Sequence, residues 1–259
     1  MYCKALYKKY NDFEISEGHL AKVIRDNNIT RKRTIQRHYP EKRYGKPIDL
    51  KKDLKAFYTI TDSFSVNKMI SLDETSIHAQ MVHTYSRCEL WRRCVHKTKD
   101  NKVFVKFTLL VAISSKGIVG WILFEKGGVN SERMVDFFQK FIINKFKSHL
   151  IIMDNGGCHK SQIVRDIVTE SGNQLQYIVP YKPKTNAVES WFSQFKHYYK
   201  HDNISITFDQ VRKNVKKSIT KIKKENYRNY MKYAYRDLEQ RTHTVKTSTK
   251  RKPLKKYKS

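Results

Sequence analysis

Leu150-Ile151-Ile152-Met153-Asp154-Asn155-Gly156 is an apolar run that ends on an acid followed by a turn signal. Four large apolar residues in a row, bounded by polar ones, read as a short strand buried on both faces, the kind found inside a parallel sheet. Acids are scarce in this chain, 24 against 53 lysines and arginines, so one placed at the exit of a buried strand needs a reason. A second run has the same form, with Met69-Ile70-Ser71-Leu72 leading into Asp73. If the two strands are neighbours, both carboxylates meet at one sheet edge and repel each other unless a cation lies between them. Hard oxygen ligands on rigid strand ends suit Mg²⁺ or Mn²⁺. Side chains alternate along a strand, which puts Glu74 on the face opposite Asp73.

Outward from these runs, strands are expected over residues 67–74, 89–93, 103–114 and 118–125, the last two joined by a turn at Ser115-Lys116-Gly117. A helix is expected over 131–146, where Met134, Val135, Phe137, Phe138, Phe141, Ile142 and Phe146 recur at helical spacing. Then come a strand over 149–153, a helix over 161–170 with Gly172 as its stop, a strand over 174–179 and a helix from near Asn186. The early strands are linked by short turns and the later ones alternate with helices. The pattern is a mixed α/β sheet flanked by helices, three antiparallel strands and then parallel ones. A ribonuclease H-like sheet has that order.

A third acid follows the last strand. In the helix after it, Val188, Trp191, Phe192 and Phe195 form a buried stripe, while Glu189, Ser193, Lys196 and Lys200 share another. A carboxylate aligned with two cations suits a metal ligand beside a phosphate backbone. Each acid also has a local explanation. Asp154-Asn155-Gly156 is an ordinary turn, Asn186 and Glu189 have capping-box spacing, and Asp73 could pair with Arg92 or Arg93.

Taken together, three blocks resemble the signatures of mariner-like DDE transposases and their bacterial insertion-sequence relatives. They are Leu72-Asp73-Glu74-Thr75, then Ile152-Met153-Asp154-Asn155 with His159 close behind, then Pro180-Tyr181-Lys182-Pro183-Lys184-Thr185-Asn186-Ala187-Val188-Glu189. The 34 residues between Asp154 and Glu189 are the spacing typical of that superfamily. Leu90-Trp91-Arg92-Arg93 and the hairpin over 107–128 look like its second and third strands, so the resemblance covers about residues 68–200. It implies a ribonuclease H-like catalytic domain in which Asp73, Asp154 and Glu189 are the catalytic triad and hold two Mg²⁺ or Mn²⁺ ions. It implies cutting and joining of DNA at transposon ends by phosphoryl transfer, with a TA target and a homodimer on paired ends. Asn155, His159 and Asn186 are expected in supporting positions, and Lys182, Lys184, Lys196 and Lys200 against the phosphates. A nuclease or resolvase without strand transfer, or an inactive DNA-binding remnant, are the competing readings. The sequence departs from the family pattern at Cys94, where a glycine is expected. Relatives also place a paired helix-turn-helix before the first acid, so the chain is expected to start inside that region.

The charge balance agrees with a polyanionic partner. The formal net charge is +29, and residues 190–259 alone hold 20 basic against 5 acidic side chains. Like charge at this density is tolerated when nucleic acid neutralises it. The longest purely apolar run, 109–113, is too short to span a membrane, which takes about 20 residues. Four irregularly spaced cysteines point to a reducing interior, the nucleus in a eukaryotic host or otherwise the cytoplasm. Neither Cys158-His159 nor Cys88 with Cys94 has the paired spacing of a structural zinc site. No small-molecule substrate is suggested.

Four regions are expected: a basic helical segment and linker over 1–67, the catalytic domain over 68–200, a basic helical extension over 201–240 and a disordered basic tail over 241–259. In the first, Ser16 caps a helix over 17–28 that leads into Arg31-Lys32-Arg33, a candidate DNA contact, and a second helix runs over 49–58. In the third, Val211, Val215, Ile219 and Ile222 precede Tyr227, Tyr230, Tyr233 and Tyr235 among lysines and arginines. That reads as a helical hairpin covering the sheet, as a phosphate-tracking surface, or as both.

Overall fold

The structure is a computed structural model that describes residues 15–27, 42–43, 46–79, 81, 95, 105–201, 207–237 and 241. Arg31-Lys32-Arg33, the expected strand over 89–93, Cys88, Cys94 and nearly all of the expected tail lie outside the described residues.

The chain divides into two compact units, 1–47 and 48–259. In the first, helix α1 (Glu17–Asp26) starts at Ser16, whose hydroxyl accepts from the His19 N–H at 3.2 Å. A two-residue antiparallel ladder pairs β1 (Lys42–Arg43) with β2 (Lys46–Pro47).

The second unit opens with α2 (Leu50–Asp62), capped by Asp49. Then follow β3 (Met69–His78), β4 (Lys106–Ser114), β5 (Gly117–Phe124), α3 (Ser131–Phe141), β6 (Leu150–Met153), α4 (Gln162–Glu170) and β7 (Gln174–Tyr177). Helices α5 (Ala187–His201), α6 (Phe208–Thr220) and α7 (Lys224–Tyr235) complete it. The five strands lie in the order β5-β4-β3-β6-β7. The β5-β4-β3 part is antiparallel, and β3, β6 and β7 run parallel.

Alternation along the strands builds two cores. Met69, Ile77, Leu109, Val111, Ile113, Leu150 and Ile152 pack with apolar side chains of α2, α5, α6 and α7. Ile70, Leu72, Leu110, Ala112, Ile151 and Met153 pack with Met134, Phe137 and Phe138 of α3 and with Val164 and Val168 of α4. Each of these side chains other than Ala112, fully buried, contributes about 1.5–3 kcal/mol before the entropy of ordering it. At the edge strand the approach of α3 is close enough that a Cβ on Gly120 would lie 2.3 Å from Phe141.

Two expectations shift. The boundary expected at 67 falls inside the compact unit, which begins at Ile48, because Leu54, Phe57 and Tyr58 turn α2 into the core. Helix α3 ends at Phe141 rather than 146, since Asn144 takes left-handed backbone (φ 63°) that a helix does not accommodate. Ile142 and Phe146 still pack with the second core, which is why the apolar spacing looks continuous. The basic segment after 200 folds onto the sheet as α6 and α7, the expected covering hairpin, with Tyr227 and Tyr235 buried and Tyr233 exposed.

Candidate active site

Strand register brings the first two acids together. In the parallel pair, Met69, Ile70 and Ser71 sit beside Leu150, Ile151 and Ile152. Continuing that register by two residues sets Asp73 beside Asp154, where β6 has just ended. Asp73 is still inside the sheet, opposite Val111 of β4, and only 7% exposed. It shares a face with Met69 and Ser71, the face that α5 covers.

The start of α5 is tied to this face. Asn186 is 1% exposed; its Nδ2 donates to Asp73 Oδ2 at 3.0 Å and to the Leu72 carbonyl at 3.4 Å, and its Oδ1 accepts from the Ser71 hydroxyl. The capping-box spacing of Asn186 and Glu189 is therefore not used as a cap. The first N–H groups of the helix find other acceptors, Ala187 the Tyr235 hydroxyl at 3.2 Å and Val188 the Ser71 hydroxyl at 3.1 Å. Glu189 lies in the first turn.

The carboxylates sense one another. Burial, then the charge of Asp154, lift the Asp73 carboxyl to about 8, with Glu74 and Glu189 adding to the rise and the Glu74 N–H on Oδ1 (2.8 Å) opposing it. Burial also raises Glu189, against the pull of Lys196 and with a push from Asp154. Lys196 is lowered by burial, Glu189 opposing.

Asp154 is held differently. Its Oδ1 accepts from the Gly156 N–H at 2.8 Å and contacts His159 Nδ1. The His159 side chain is 0% exposed, and its Nε2 lies 3.2 Å from Glu74 Oε2. Burial pulls His159 down, but the hydrogen bond with Asp154 and the ion-pair contact with Glu74 outweigh it and lift the ring to about 10, which favours the doubly protonated form. The same His159 bond, followed by opposing burial, sets Asp154 below its usual range. The Tyr177 hydroxyl fastens the His159 carbonyl at 2.9 Å. A Cβ on Gly156 would stand 3.0 Å from Asp154 Oδ1 and 3.3 Å from His159 Nδ1.

The structure thus gathers Asp73, Asp154, Glu189, Asn186 and Lys196, with His159 behind Asp154. Asn155 turns elsewhere and donates to the Ile178 carbonyl at 2.7 Å, latching the ends of β6 and β7. Lys182, half-buried, and Lys184, exposed, sit on the turn before α5, and Lys200 lies one turn beyond Lys196. Four participants escape a sequence reading: Ser71, Glu74 as a histidine partner, Gly156 and Tyr235. Ser71 carried a signal, since a lone hydroxyl inside a buried apolar strand must be hydrogen-bonded. Tyr235 carried none.

Asp73 receives only neutral N–H donors in its described hydrogen bonds, while the charges of Asp154, Glu74 and Glu189 all raise it. That all-oxygen, like-charged set fits a hard divalent cation. Ligand atoms of Glu74, Cys158 and His159 also lie within 4.8 Å of one another. There, both ring nitrogens of His159 already face carboxylates, and the group reads as an ion-paired bridge.

The model of the family described as DDE superfamily endonuclease matches residues 68–212, over half of the chain and all three acids. The chain belongs to the DDE superfamily endonucleases. No curated protein sequence matches this DDE endonuclease. Among solved structures, it is similar to the mariner Mos1 paired end complex with Mg, at 14% identity over 92% of this chain and 75% of that one, TM-score 0.69. A pre-cleavage Mos1 transpososome gives 14% identity with the same coverages and a TM-score of 0.67. The catalytic domain of the Mos1 mariner transposase gives 14% identity over 74% of this chain and 88% of that one, TM-score 0.55. At this identity the likeness speaks for the fold, a ribonuclease H-like sheet flanked by helices. Among the described residues, no helix of this DDE endonuclease is long and apolar enough to cross a membrane.

Proposed function

We propose that this DDE endonuclease is a mariner-like DNA transposase, with Asp73, Asp154 and Glu189 as its catalytic groups and as ligands of two Mg²⁺ or Mn²⁺ ions. The observation that carries this reading is the convergence of three carboxylates from β3, the end of β6 and the first turn of α5, each shifted by a neighbour. Like charges so placed are costly unless a cation shares them. Bound ions would supply an activated water or 3′-hydroxyl for in-line attack and stabilisation of the leaving oxygen.

The chain's own groups do the rest. Asn186 and the Glu74 N–H hold the two oxygens of Asp73 in one orientation. His159 and Gly156 occupy Oδ1 of Asp154, which favours the ionised carboxylate, and Oδ2 would be left to hold an ion. Lys196 balances Glu189, and Lys182, Lys184 and Lys200 neutralise phosphates along the bound DNA. Arg31-Lys32-Arg33 supply further basic side chains for DNA. Two copies of the chain hold two ends, a reading supported by the likeness to a Mos1 paired end complex, and the target is a TA step.

The test is a joining assay. Purified chain, Mn²⁺, a duplex with a free 3′-hydroxyl and a supercoiled plasmid are incubated together, with Asp154→Asn in parallel. Covalent joining that depends on the metal and disappears in the variant is expected. Nicking without joining would make the protein a nuclease, and no metal-dependent product would mark it as an inactive DNA binder; either result overturns the proposal.

A further inference from the structure

Asp73 is oriented from an unexpected direction. The Tyr235 hydroxyl donates to Ser71 Oγ at 3.2 Å across 164 residues of chain, and itself accepts the Ala187 N–H. Ser71 Oγ also accepts the Val188 N–H at 3.1 Å. Tyr235, Ser71 and Asn186 are each at most 1% exposed, so water does not compete for these bonds.

The polarity of this chain of bonds is determined. A serine hydroxyl has one proton and two lone pairs. With Tyr235 and Val188 both donating to Ser71, its single proton can go only to Asn186 Oδ1. That fixes which end of the amide faces which way, so Nδ2, and not Oδ1, meets Asp73 Oδ2. Were the amide reversed, two oxygens would face each other in a buried site. Burial pushes the Tyr235 phenol up, so it remains a donor at any working pH.

We propose that Tyr235, on α7, is a positioning residue for Asp73, acting through Ser71 and the orientation of the Asn186 amide. Tyr235 lies beyond the span that the family model covers, which ends at residue 212. The C-terminal hairpin is therefore part of the active-site support as well as a cover for the sheet. The inference rests on the reading of Asp73 as a metal ligand.

The experiment measures Mn²⁺ affinity of the whole chain by calorimetry or electron paramagnetic resonance, with no DNA and no turnover. Tyr235→Phe keeps the ring and removes the hydroxyl; it is expected to weaken Mn²⁺ binding about 10-fold, and Ser71→Ala and Asn186→Ala by about 10- to 100-fold, as partners behind metal ligands commonly do. Tyr58→Phe is the control, a buried tyrosine of α2 whose hydroxyl donates to the Ala234 carbonyl of α7 at 3.2 Å outside this network. It should lower the melting temperature about as much as Tyr235→Phe and leave Mn²⁺ affinity unchanged. Equal Mn²⁺ affinity in Tyr235→Phe and wild type, with Asp73→Asn still losing the metal, would overturn the positioning role. Asp73→Asn binding Mn²⁺ as wild type does would instead overturn the reading of Asp73 as a ligand. If Tyr235→Phe does not fold, Ser71→Ala decides the same question from the other end of the bond.

Discussion

Asp73 and Asp154 leave neighbouring strands side by side, yet the molecule secures them by opposite means. Behind Asp154 stand a glycine two residues on and a histidine five residues on, and that histidine is charged and clamped by Glu74. Behind Asp73 stand an asparagine 113 residues away and, through Ser71, a tyrosine from the last helix, both neutral. The consequence shows in the charge states, with Asp154 held below its ordinary range and Asp73 lifted to about 8. A charged, local bracket settles ionisation in advance. A neutral, remote one settles direction and leaves the charge to be set by whatever cation arrives.

The largest effect that tests this contrast is loss of a carboxylate. Asp73→Asn, Asp154→Asn and Glu189→Gln are each expected to lower metal-dependent cleavage by roughly 10³-fold or more, the several kcal/mol that metal-held charge contributes. Circular dichroism and DNA affinity should stay near wild type. Retained cleavage in any one of them removes that residue from the site.

Breaking the charged bracket comes next. His159→Gln leaves Asp154 and Glu74 without their cation, and since those side chains are 38% and 34% exposed the loss is discounted to about 2–3 kcal/mol. The sign of its pH dependence follows from the raised histidine. Its stabilisation is fully present below the unfolded value of 6.5 and is lost as pH rises through about 10. Urea midpoints of wild type and variant should therefore converge above pH 10, and a gap that persists there would mean that His159 is held neutral.

The smallest effect concerns the outer anchor of α7. Asp62 pairs with Arg236 at 3.2 Å and Arg241 at 2.7 Å, but its side chain is 44% exposed, so Asp62→Ala should cost under about 1 kcal/mol. Thermal melts should register that change while Mn²⁺ affinity does not move. A weakened Mn²⁺ affinity would show that the placement of α7 as a whole, and not the Tyr235 hydroxyl, governs Asp73.

Much of this architecture can be read directly from the chain, because the signals are local. Apolar runs ending on Asp73 and Asp154 mark the buried strands, the spacing of Val188, Trp191, Phe192 and Phe195 marks the inner face of α5, and Gly172 (φ 73°) marks the turn after α4. Strand alternation alone separates Glu74 from Asp73. What needed the tertiary structure was every partnership made across the sheet. Asn186 has the spacing of a helix cap and would act as one in isolation; it abandons that role because packing brings Asp73 and Ser71 within reach. Tyr235 looks like one more aromatic in a basic helix, and only the docking of α7 on α5 and β3 turns its hydroxyl onto Ser71. Spacing along a chain determines which face a residue occupies. Which groups meet on that face depends on strand register and helix docking, set by burial summed over the whole core.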